Sequence, residues 1–97
     1  MSTQDAYVER AKAQLDKWNA EIHKMTADLE QARSERKAEL ESQLEEVKAR
    51  RDKAQDQLQE LGKSSAEAWQ DMTAGFEAAW QALEDGMQKA RTRFEDR

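Results

Sequence analysis

From residue 8 to residue 32 the apolar side chains step by three and four without a slip: Val8, Ala11, Leu15, Trp18, Ile22, Met25, Leu29 and Ala32. A stripe with that period is the seam of a helix that faces another helix. In water such a seam has to be covered. That requirement constrains the fold more than any other feature of the chain.

The seam fails where Arg36 and Glu39 take its next positions, and it resumes at Leu40, eleven residues after Leu29. Leu44, Val47, Arg51, Ala54, Leu58 and Leu61 continue it. A seven-residue repeat lags a straight helix by about 20° and an eleven-residue step leads it by a similar angle, so mixing the two keeps the stripe on one face. Between Ala32 and Leu40 there is no Gly or Pro, and the residues are mostly good helix formers. Continuity of one long helix is therefore favoured over a kink near Ser34, which would give three helices of similar length in a monomeric bundle.

Clear punctuation comes at LGKSSAE, residues 61–67. Gly62 can adopt the left-handed conformation that ends a helix, and Ser64 with Glu67 has the form of a capping box opening the next one. The expected elements are a helix over about residues 4–61, a turn over about 62–64 and a helix over about 65–95.

The second helix says one phrase twice. WQDMTAGFEAA and WQALEDGMQKA follow one another, which places Trp69 and Trp80 eleven residues apart, close to three full turns. Trp69, Met72, Phe76, Trp80, Leu83, Met87 and Phe94 form an aromatic and Met-rich stripe, flanked on one side by Gly75 and Gly86. Glycine inside a helix costs about 1 kcal/mol relative to alanine. Two in register suggest close approach of another backbone, the alternative being a tolerated weak spot. The stripe reads as bundle core. The competing reading is a helix lying on a lipid or granule surface, against which Asp71, Glu77, Glu84 and Asp85 give the polar face the wrong charge for anionic lipid.

Composition narrows the function. The 97 residues include no Pro, no Cys and three Gly, carry a net charge of −5, and are 38% charged. This describes a nearly all-helical single domain spanning residues 1–97. The negative charge argues against nucleic acid and anionic membrane as partners. A chain without cysteine fits a reducing compartment, and no apolar run is long enough to span a bilayer, so a cytoplasmic protein is expected. His23 is the only histidine, directly follows the seam residue Ile22, and has no metal-binding neighbour at helical spacing. It reads as a surface residue. The acids interleave with Lys and Arg as solvated helix pairs rather than as an acid–base couple. Phosphate loops, nucleophile elbows and Cys/His pairs have no counterpart here. No enzyme activity, cofactor, metal site or small-molecule substrate is expected. The basic run KARRDK at residues 48–53 is surrounded by acids and lacks aromatics to stack on bases, which makes it a salt-bridged helix face. Within it Arg51 holds a seam position, where it either pairs with an acid and fixes register or snorkels its stem over apolar neighbours; the second is favoured.

Three stretches resemble the small bacterial coiled-coil stress-response proteins of cyanobacteria and proteobacteria. AYVERAKAQLDKWNAEI at residues 6–22 is similar to that family's opening, ARRDKAQDQLQEL to its charged middle, and SSAEAWQDM followed by AWQAL to its paired Ala-Trp units. The resemblance implies a helical, cytoplasmic, stress-linked protein with no catalytic residue to carry over.

The expected fold is all-α: a long helix and a shorter one in an antiparallel coiled-coil hairpin. A turn at 62–64 sets Leu58 against Trp69, Ala54 against Met72, Val47 against Trp80 and Leu40 against Met87. That hairpin leaves the 8–32 seam without an intramolecular partner, so a symmetric homodimer joining the long arms into a helical bundle is expected. The expected function is that of a non-enzymatic structural or interaction protein acting through helix–helix contacts with itself or another helical protein. A lipid- or granule-surface binder using the 69–94 stripe is the alternative.

Overall fold

A computed structural model describes residues 3–95, and all the structural statements below concern these. They form three α-helices and no strand: α1 Thr3–Glu30, α2 Ser34–Lys63 and α3 Trp69–Glu95. The all-helical expectation holds. The single long first helix does not, because the chain bends at residues 31–33.

At the bend the amides of Gln31 and Ala32 donate to the carbonyls of Asp28 and Leu29, tightening the last turn of α1. Arg33 is then extended, with φ −65° and ψ 147°, and α2 starts without a side-chain cap. Helix propensity gives no reason for this break; tertiary burial does. Folding α1 back covers Leu15, Ile22 and Met25, each under 10% exposed. Burying an aliphatic side chain is worth about 1.5–3 kcal/mol, whereas each helical hydrogen bond given up near water costs only about 1 kcal/mol. Covering the seam within one chain also avoids the loss of translational and rotational freedom that a dimer must overcome. The kinked arrangement is thus what the single chain adopts, and the 8–32 stripe lies inside it.

The second connection also differs in detail from expectation. Gly62 stays helical, and no described residue has positive φ. The turn occupies residues 64–68 instead of 62–64. Ser64 closes α2 by donating both its amide and its hydroxyl to the Leu61 carbonyl, and Ser65 Oγ accepts the Ala68 amide at 3.2 Å. The serine that accepts an amide ahead of α3 is therefore Ser65 and not Ser64, and it does so within the turn. This later turn shifts the helix register. Gln57 lies against Gly75, Arg50 reaches Ala82, and Glu39 pairs with Arg93, each of these partners lying further along α3 than a turn at Gly62 would place it.

These contacts run α3 back along α2. Tyr7 with Glu77, and Glu21 with Arg91, show α1 and α3 running in the same direction. The bundle measures 51 × 20 × 16 Å with a radius of gyration of 15.5 Å, longer than the roughly 13 Å of a spherical domain of this size. Thr3 lies at the end that holds the 64–68 turn, and Glu95 at the opposite end, beside the bend.

One core runs through the rod. Val47, Ala54, Leu61, Leu83, Met87 and Ala90 are at most 1% exposed, and the alanines alternate with large side chains so that the layers interdigitate. Helix α1 leans mainly on α2 and touches α3 more sparsely.

Candidate functional site

The two stripes read from sequence enter one core, with the buried face of α2 joining them. Ala11, Leu15, Ile22 and Met25 share one buried cluster with Phe76, Leu83 and Met87, and Val8, Trp18, Leu29, Trp69, Met72, Trp80 and Phe94 pack against it half-buried. Ala32 stands apart from that cluster, at the bend. The residues expected to hold two chains together therefore pair inside one. Phe76, Leu83 and Met87 of the 69–94 stripe are covered, while Trp69, Met72, Trp80 and Phe94 stay half-buried at its margins.

An aromatic group caps one end. Tyr7 meets Trp69 edge-on with centroids 5.7 Å apart and Phe76 edge-on at 6.1 Å, while Phe76 tilts against Trp80 at 5.6 Å. Edge-to-face pairing sets the positive ring edge against a negative ring face. The Tyr7 hydroxyl donates to Glu77 Oε1 at 3.2 Å, and Trp80 Nε1 donates to Glu84 Oε1 at 2.7 Å. Burial raises the Tyr7 pKa above its ordinary 10.0, and the Glu77 carboxylate adds to that rise through its charge and its hydrogen bond. Sequence reading missed Tyr7. It directly precedes the seam residue Val8, and its ring partners lie more than sixty residues away.

Polar ties cross between the helices. Arg51 Nη1 donates to Asn19 Oδ1 of α1 at 3.0 Å and its Nε to Asp52 Oδ1 at 2.8 Å, so its tie across the interface is to an amide, and the acid it pairs with is its own neighbour on α2. Arg91 pairs with Glu21 at 2.8 Å and sits 6.0 Å from the centre of the Trp18 ring; Arg93 pairs with Glu39 at 3.0 Å. Half-exposed pairs of this kind contribute about 0–1 kcal/mol each, so they select register more than they stabilise. The buried Trp18 Nε1 has no hydrogen-bond partner. His23 is exposed.

At the bend a hollow of about 560 Å³ opens to solvent between Asp28, Gln31, Arg33, Arg36, Leu40 and Phe94. Its walls offer charged side chains and one aromatic edge, without an enclosed floor. Among the described residues no three His, Cys, Asp or Glu side chains converge as metal ligands would, and no helix is long and apolar enough to cross a membrane.

No family model matches this chain, and neither a curated protein nor a solved structure matches it.

Proposed function

We propose that the chain is a non-enzymatic helical interaction protein, stress-linked and cytoplasmic, acting through helix–helix contacts. The observation that carries this reading is the fate of its chemistry-bearing residues. Both stripes go into helix packing, and Arg50, Arg91 and Arg93 pair with carboxylates along or across helices. The likeness of its Trp-bearing stretches to bacterial coiled-coil stress proteins supports the stress link.

Formaldehyde crosslinking in bacteria expressing the chain, before and after heat or oxidative challenge, tests it. Discrete complexes containing the chain, more abundant after challenge, are expected. A chain that stays uncrosslinked in both conditions refutes the reading.

A further inference from the structure

We infer that the bend at residues 31–33 is a hinge through which two copies exchange their α1 helices, giving a dimer in which α1 and α2 form one continuous helix. This rests on the reading of the chain as an interaction protein, and it names a second copy as the partner.

Three observations carry it. First, the break is short. Arg33 is extended, with φ −65° and ψ 147°, while Gln31 and Ala32 before it still make turn-type bonds back into α1, and α2 begins at Ser34. Nothing in Gln31, Ala32, Arg33 or Ser34 opposes helix as Gly or Pro would, and no side-chain cap holds the start of α2.

Second, the hydrophobic phase runs through the bend. Leu29 and Leu40 are eleven residues apart, close to three turns, so in an unbroken helix the α1 and α2 stripes share a face. Two helices separated by a bend have no need of that phase relation. One long helix pairing with another does.

Third, the exchange conserves the interface. Helix α1 runs parallel to α3, as the ties of Tyr7 to Glu77 and Glu21 to Arg91 show, and therefore antiparallel to α2, along which α3 returns. Two unbroken α1–α2 helices laid antiparallel about a two-fold axis near the bend give the same directions, with each α1 seated on the α2 and α3 of the other copy. The seam contacts pass from within a chain to between chains, and the amides at the bend regain helical partners. Short connectors between packed elements favour this exchange. Because α1 must first leave the core, the two forms interconvert slowly and coexist.

The test uses the full chain, refolded from denaturant at high micromolar and at low concentration and sized by light scattering coupled to gel filtration. Refolding at high concentration should yield a dimer that persists for hours after dilution. Ser34→Pro should abolish it. Proline suits the first position of α2, and the extended Arg33 before it has the conformation that proline demands, so the bent monomer accommodates the change while a continuous helix cannot. In a Glu21→Cys, Arg91→Cys variant, a short bis-maleimide should join two chains in the dimer fraction and close a loop within one chain in the monomer fraction. A chain that is monomeric after both refolding conditions overturns the proposal. So does a dimer whose linker closes within single chains, or one that survives Ser34→Pro. If Ser34→Pro fails to fold, the linker result decides alone. Cellular complexes containing other proteins but never a second copy would overturn this exchange and leave the interaction reading standing; no complexes at all would remove both.

Discussion

The side chain of Arg50 lies where a Cβ on residue 86 would go: its Cδ stands 3.0 Å and its Nη1 3.1 Å from that position. From there Nη1 donates to the Ala82 carbonyl at 2.8 Å, and Nη2 pairs with Glu46 at 2.7 Å. Gly86 thus gives passage to an arginine from α2, and the close approach is made by a side chain where a backbone was expected. At Gly75 the corresponding neighbour is Gln57 Oε1, 3.2 Å from the missing Cβ.

The two glycines should therefore answer differently to alanine. Propensity favours alanine by about 1 kcal/mol at each. The Gln57 amide is the free end of a flexible chain and can swing aside, so Gly75→Ala should raise the urea midpoint. Arg50 is tied at both nitrogens, and displacing a charged hydrogen bond costs about 1.5–3 kcal/mol, less where water screens it. Gly86→Ala should gain nothing in the wild-type background, and about 1 kcal/mol once Arg50→Ala has cleared the space. Equal gains in both backgrounds would show that Arg50 sets no constraint at Gly86.

Ile22, 3% exposed, faces the core of its own chain. Ile22→Glu should cost several kcal/mol, because a charge there has no partner. Circular dichroism at low concentration should show lost helix or a large drop in midpoint. A folded, fully helical monomer of wild-type stability would contradict the intramolecular seat of the seam.

Along α3 the aromatic truncations should rank by burial. Phe76, 4% exposed, should lose about 3–5 kcal/mol on change to alanine, as core aromatics do. Trp80 is half-buried, with its Nε1 satisfied by Glu84 at the edge, and should lose less. Urea titration of both variants checks the order, and the reverse order would mean that Trp80 carries the packing.

Stability should depend on alkaline pH through Tyr7. Its folded pKa lies above the ordinary 10.0, so the folded state holds the phenolic proton more tightly than the unfolded chain does. The contribution is fully present below pH 10.0 and is lost as pH rises through the folded value. Tyr7→Phe lacks this loss. Since Tyr7 is the only tyrosine, the difference between the two proteins isolates its contribution. Parallel alkaline profiles for the two would remove Tyr7 from the linkage.

Much of this bundle is legible in residue spacing, and the exceptions have a common cause. Ile22, Met25, Leu83 and Met87 point inward because a periodic stripe identifies the face that must be covered. The same stripe says nothing about whether the covering helix belongs to the same chain. That choice rests on the bend, where Gln31, Ala32 and Arg33 are all compatible with helix and only the burial of α1 against α2 and α3 decides. Arg36 and Glu39 at seam positions were the visible trace of it. The α2–α3 register was misplaced because Gly62, free to end a helix, remained inside one, and the two serines after it set the turn. Tyr7 and Arg50 were missed because their partners are distant in sequence and follow no period.

An odd number of helices leaves Thr3 and Glu95 at opposite ends of a rod 51 Å long. Tension applied between these residues runs parallel to all three axes. It loads the seams in shear, so the layers of Leu, Met and Ala must slide past one another together and cannot peel apart one by one. A hairpin of two helices, whose ends emerge side by side, would unzip under the same pull. The bend that turned two helices into three has therefore set Thr3 and Glu95 at opposite ends of the rod, where pulling meets all three helices side by side.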